Sequence, residues 1–289
     1  MSTIEAASGT GIDTTRTVIA ASARTRTPFL QTPAGRYVPP VIVFVGFLAL
    51  WTAVSTLLLA PSKRFLLPSP LAVAQEFVNP KTMATIGAGT VQTVVMSLTG
   101  VAIAIVLGVS WGVAMSQARW VERSLFPYAV VLQSIPILAL VPLVGFWFGY
   151  EFTARVIICV LIALFPMVSN TLFGLQAVPK AQRELFQLQR ASRWTMLWKL
   201  EMPTALPAIF AGMRISAGLS VVGAIVGDFY FRRGTPGLGS AIAVYQSRLQ
   251  SAELFAAIIV ASLVGVVIFE LFGVLSRLAV GRWYESTGH

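Results

Sequence analysis

Residues 82–118 read TMATIGAGTVQTVVMSLTGVAIAIVLGVSWGVAMSQA, 37 positions without an Asp, Glu, Lys or Arg. At about 1.5 Å per helical residue, the run is longer than one crossing of a hydrocarbon layer about 30 Å thick requires. Its first part is read as an interfacial segment and Thr90–Met115 as the membrane span. Similar uncharged runs lie on both sides. Arg36 and Lys63 enclose 26 residues with Val41–Ala60 as the apolar core, Arg123 and Glu151 enclose 27, and Arg155 and Lys180 enclose 24. The last two give spans Pro127–Phe148 and Val156–Leu172. Two further spans each carry a charge: Ala208–Val226 contains Arg214, and Leu254–Leu275 contains Glu270. The expectation is an all-α, polytopic membrane protein with six transmembrane helices.

The composition agrees. The 289 residues are 56% apolar and 11% charged, with a mean hydropathy of +0.79. A soluble domain carries about 25% charged residues. One cysteine, Cys159, rules out a disulfide framework within the chain and a Cys-rich metal site. Cys159 itself reads as an inert buried thiol. The one histidine is the last residue, His289, so no internal histidine is available for catalysis. No catalytic residue and no metal ligand is expected. A polytopic membrane enzyme is the weakest reading, for want of clustered acids, histidines or metal ligands.

The net charge of +10 would suggest nucleic acid in a soluble protein. Here it is read loop by loop, and no nucleic-acid partner is expected. With the N-terminus inside, 14 Lys and Arg fall on the cytoplasmic side and 7 outside. That bias puts both termini in the cytoplasm. Residues 1–36 are poor in large apolar side chains and read as a flexible cytoplasmic tail. No apolar run precedes Val41, so a cleaved signal peptide is not expected. Residues 37–283 form the six-helix domain, and 284–289 a short C-terminal tail.

The loop from Gly174 to Pro207 is the most informative. Pro179 suits the start of a helix, and Ala181, Leu185, Leu188 and Ser192 then share one face. Ser192 can cap a second helix, Arg193–Leu200. Pro203 and Pro207 are expected to interrupt it before the fifth span. The pattern predicts two short helices with a turn near Arg190. Patterning alone leaves two readings open: an amphipathic hairpin on the membrane surface, or a docking element.

Glu184-Leu185-Phe186, Arg190 and Leu200-Glu201-Met202-Pro203 keep the spacing of the EAA loop, E-A-A-x3-G-x9-I-x-L-P. The sequence thereby resembles the membrane subunits of binding-protein-dependent ABC importers, within the nitrate, sulfonate and taurine permease branch. Ala191-Ser192-Arg193-Trp194, Leu206–Ile215, Leu67-Pro68-Ser69-Pro70, Ile135-Pro136, Trp147-Phe148-Gly149 and Gly237-Leu238-Gly239 fit the same branch. The resemblance runs from about Pro61 to Trp283. Leu185 and Phe186 replace the two alanines, and Arg190 the glycine. A left-handed backbone at Arg190 would cost roughly 1–2 kcal/mol.

The resemblance implies a type I ABC importer permease in the plasma (inner) membrane. It implies two cytoplasmic ATPase subunits, an extracytoplasmic binding protein and a second permease subunit, most simply an identical copy. Such a chain is a transport subunit and not an enzyme. It holds no cofactor, while ATP and Mg act on the ATPases. Glu184, Leu185, Phe186, Arg190, Ala191 and Ser192 become the ATPase-coupling residues. Gln133, Ser134, Ser169 and Asn170 become candidates for the solute path, with Ser169 and Asn170 equally readable as a helix cap or an interhelical contact. Pro127, Pro136 and Pro142 read as kinks that shape the path. Asp228, Phe229, Tyr230 and Arg232 are the candidate outer mouth, and the surrounding stretch resembles relatives assigned to thiamine-precursor pyrimidines or riboflavin. Asp228 is expected to pair locally with Arg232 or Arg233. Glu270 is expected to snorkel, pair with Arg277 or face a dimer seam. The alternative is an ion-coupled secondary transporter using Glu270 or Asp228.

Overall fold

The computed structural model describes residues 33–284. The C-terminal tail residues 285–289 and most of the expected N-terminal tail lie outside them, whereas Pro33–Arg36 already belong to the first helix. The chain divides into two compact units at Leu50/Trp51. In the first, helix α1 (Pro33–Ala53) begins, and most side chains from Val38 to Leu50 are exposed.

The second unit completes α1 with a π-turn, Val54–Leu58. It continues with α2 (Pro70–Glu76), α3 (Pro80–Ser116), α4 (Arg119–Ser134), α5 (Ile137–Phe148) and α6 (Phe152–Gln176). Then come α7 (Lys180–Leu188), α8 (Arg193–Met196), α9 (Met202–Tyr230), α10 (Leu238–Ser247) and α11 (Ser251–Tyr284). Among the described residues, five helices are long and apolar enough to cross a membrane, and six spans result if the bent pair α4–α5 counts as one.

Several expectations need correction. The proposed interfacial segment is the start of α3, which runs unbroken for 37 residues. Pro80 sits in its first turn, where no N–H partner is required, and Asn79 caps it by accepting from the Lys81 N–H at 3.2 Å. The third span is two helices that meet at 98°. Pro136 removes a backbone donor at the junction, and Ile135 and Pro136 are both extended. Pro127 and Pro142 lie inside α4 and α5.

Pro203 and Pro207 do not interrupt the fifth span. Helical backbone is continuous from Arg193 to Tyr230. A π-turn at Leu197–Glu201 precedes Pro203, with the Met202 N–H bonded to the Leu197 carbonyl. That shift of register widens the turn where the proline ring would otherwise meet a carbonyl. The segment between the last two spans also holds an unexpected helix, α10, buried along Leu238–Ala241.

Helix α6 is central, packed between α3 and α9. Met96, Cys159 and Ala224 are buried where the three meet, as expected for Cys159. A side chain at Gly223 would place its Cβ 2.7 Å from the Cys159 Cα. Only a glycine allows the two backbones so close, and close approach is how lipid-embedded helices gain packing energy.

Candidate functional site

The α7–α8 hairpin is built as its sequence suggests. Arg190 has φ +52°. The Ala191 N–H reaches the Phe186 carbonyl at 3.0 Å, and the Arg190 N–H reaches that of Gln187 at 2.9 Å. Together these two bonds form a Schellman cap, normally completed by glycine. Arg190 therefore stands where the family loop has glycine, in the left-handed region that disfavours a Cβ. Ser192 caps α8 by accepting from the Thr195 N–H at 3.1 Å.

Glu184, Leu185, Leu188, Trp194 and Trp198 are exposed, with Leu188 at 83%, and Phe186 is half-buried. The hairpin thus exposes four large apolar side chains within fourteen residues. Its other side is tied down. Arg183 donates to the Leu175 carbonyl at 2.7 Å, in the last turn of α6. The same guanidinium lies 3.3 Å from the Glu201 carboxylate. Arg193 donates to the Gln117 carbonyl at the end of α3, at 3.2 Å. The hairpin is thereby bonded to the ends of α3 and α6 and to the start of the helical stretch from Arg193 to Tyr230, about 57 Å long.

The four path candidates fall in two places. Gln133 and Ser134 are exposed at the end of α4, beside the 98° bend, and Ser134 donates back to the Val130 carbonyl at 2.8 Å. Ser169 and Asn170 do not cap a helix, because α6 continues to Gln176. Both are half-buried and donate to the Pro166 carbonyl, at 3.3 and 2.8 Å.

The expected outer mouth divides. Tyr230 and Arg232 are exposed, and Phe229 stacks edge-on against Tyr230 at 5.4 Å. Asp228 is fully buried and takes no part in an open mouth. Its ion pair is with Arg155 at 2.8 Å, not with Arg232 or Arg233. Arg155 is 1% exposed and also donates to the carbonyls of Phe231, Arg233 and Thr235. The Ser240 hydroxyl donates to Asp228 Oδ1 at 2.9 Å, and the Ser240 N–H to Oδ2. Next to this node, the Leu238 N–H donates to Thr93 Oγ1 at 2.9 Å. The start of α6, the end of α9 and the start of α10 are locked into one polar node.

Glu270 pairs with Arg214 at 2.6 Å, across α9 and α11, not with Arg277. A lone cation opening an apolar run was the only signal for Arg155. Its partner lies 73 positions on, too far for periodicity to reveal.

The geometry defines a polytopic helical membrane protein with a tethered hairpin that exposes apolar side chains. The sequence profile of the binding-protein-dependent transport system inner membrane component matches residues 100–281, and the chain belongs to that family. It is 33% identical to the riboflavin transport system permease protein RibX of Chloroflexus aurantiacus, over 85% of this chain and 90% of that one. It is 30% identical to the formylaminopyrimidine transport permease protein ThiX of Halalkalibacterium halodurans, over 80% and 90%. The nitrate import permease protein NrtB of a Synechocystis strain is 26% identical over 87% and 92%.

Among solved structures, an inward-facing form of the MetNI methionine ABC transporter superposes with a TM-score of 0.61. It shares 16% identity and covers 69% of this chain and 98% of its own. The fold is that of type I ABC importer permeases. The chain is accordingly a multi-pass inner membrane protein and a transport subunit, with ATP hydrolysis residing on separate subunits.

Proposed function

We propose that two copies of this chain form the membrane core of an ATP-driven importer. An extracytoplasmic protein delivers a small organic solute, and two cytoplasmic ATPases grip the α7–α8 hairpins. Both termini face the cytoplasm, and α4–α5 counts as one broken span. One observation carries this reading. The hairpin exposes Leu185, Leu188, Trp194 and Trp198 while Arg183 and Arg193 fasten it to the ends of three long helices. An element resting on the membrane surface would not need to be wired to the transmembrane bundle.

The solute reading favours a thiamine-precursor pyrimidine or riboflavin over sulfonates, taurine and nitrate. Its support is the identity to relatives named for riboflavin and formylaminopyrimidine transport, at 33% and 30%. The ion-coupled alternative loses ground because both of its carboxylates are already paired with guanidinium groups.

The test is uptake into liposomes holding the permease and its ATPase, with the binding protein added outside. Uptake should require both internal ATP and the binding protein. Uptake that an ionophore abolishes while ATP remains would establish the carrier instead.

A further inference from the structure

Between Leu254 and Val280, helix α11 carries four polar side chains: Ser262, Glu270, Ser276 and Arg277. At about 100° per residue they all fall within one sector of about 120°. Leu263, Val267, Leu271 and Leu278, all exposed, occupy the adjoining sector. Ala261, Val264 and Ile268 form the third face, which packs into the core. One helix thus shows a core face, a wholly apolar exposed face and a mixed face on which all four polar side chains lie among Ile258, Val266 and Phe269.

Arg214 of α9 stands beside the polar sector. Its guanidinium lies 4.1 Å from the Phe269 ring centroid and 2.6 Å from Glu270 Oε1. Gly273 leaves the room it needs, since a Cβ there would lie 3.0 Å from Arg214 Nε. Along α11, Glu270 is about 10 Å from Arg277 and about 25 Å from Glu253. Along the rod, Arg214 is about 20 Å from Glu201 and about 20 Å from Asp228. Both measures put the pair within the apolar runs of α9 and α11, nearer the end that carries the hairpin. Even so, the two side chains are 37% and 52% exposed. Charges within a membrane face a protein interior or a wet cavity, because acyl chains offer them no partner. The apolar sector is the lipid face, and the polar sector is not.

We propose that the polar sector of α11, together with Arg214, lines the water-filled part of the solute path and forms a contact site for uncharged solutes that carry adjacent hydrogen-bond donors and acceptors. The proposal rests on the reading of the chain as a solute-conducting permease. The Glu270 carboxylate only accepts and the Arg214 guanidinium only donates. Side by side they present both functions without net charge. A ring edge with an N–H beside a C=O meets both, whereas Glu270 repels an inorganic anion drawn to Arg214.

Two neighbouring valines provide the test. Val266 lies in the polar sector and Val267 in the apolar one, and they are 57% and 64% exposed. Cys159 is buried and leaves the unaltered chain a silent background. The assembled transporter in membrane vesicles, bearing V266C or V267C, is treated with membrane-impermeant thiosulfonates, one anionic and one cationic. The reactive thiolate forms in water and not in hydrocarbon. V266C should react at least tenfold faster than V267C. Equal rates, a reversed order, or V266C disulfide dimers in place of labelling would overturn the proposal. Adding E270Q to V266C should raise the ratio of anionic to cationic labelling about tenfold, as expected for one charge lost a helical turn away. An unchanged ratio would remove Glu270 from the site. Labelling requires no uptake, so its failure is distinct from failure of the uptake assay.

Discussion

Helices α9 and α11 place two carboxylates in very different surroundings. Asp228 is fully buried, paired with Arg155 and bonded by Ser240, while Arg155 spends its other donors on three carbonyls. Glu270 is half-exposed, and among the described residues its partner is Arg214. The first arrangement satisfies the carboxylate and every guanidinium donor except the Arg155 Nε–H internally, and is closed to solvent. The second leaves lone pairs open to whatever passes. Two intramembrane acids that look alike in sequence therefore do opposite work: one fastens α6, α9 and α10 together, and the other faces the path. Hydrogen bonds, more than charge, separate the two roles.

The largest expected effect falls on the buried side. Asp228→Ala leaves the Arg155 charge buried and unpaired, and should destabilise the fold by about 3–5 kcal/mol. Thermal unfolding in detergent measures it. A loss below 1 kcal/mol would mean that water reaches the node. Gly223→Val tests the packing beside it. Its Cβ would sit 2.7 Å from the Cys159 Cα, so α6 and α9 must part, at about 1–3 kcal/mol. On the exposed side, Glu270→Gln should cost under about 1 kcal/mol, because solvent already screens the pair. Its effect belongs in uptake. If Glu270→Gln lowers the unfolding temperature as much as Asp228→Ala does, the contrast between the two acids collapses. The smallest effect is at the turn. Arg190→Gly removes a left-handed Cβ but frees the unfolded chain, for a net gain of about 0.5–1 kcal/mol in local stability. Slower hydrogen exchange at Ala191 would register it, and faster exchange would show that the Arg190 side chain supports the hairpin.

Much of this fold can be read from local pattern. Uncharged runs locate α3 and α6, apolar runs that each carry one charge locate α9 and α11, and the Pro179, Arg190 and Ser192 spacing locates the hairpin. What escapes depends on register or distance. The π-turn that lets α9 carry Pro203 has no sequence signature of its own. The 98° bend at Pro136 depends on how α4 and α5 pack, and a proline run alone suggests only a kink. Arg155 and Asp228 meet through the packing of α6 on α9, and proximity in sequence favoured Arg232 and Arg233. Arg214 and Glu270 pair across two helices for the same reason. The tethers of Arg183 and Arg193 end on backbone carbonyls, which no side-chain pattern reports.

In the proposed function the hairpin transmits ATPase movement into the bundle. Phe186 lies on α7, outside every transmembrane helix, so Phe186→Asp should leave membrane insertion intact. A carboxylate there would be desolvated in the docked contact. The most direct measurement is co-purification of the ATPase with Phe186→Asp, followed by hydrolysis and uptake in liposomes. The expected result is a loss of ATPase binding, or hydrolysis that continues without uptake. Unchanged binding together with normal stimulated hydrolysis and uptake would contradict it.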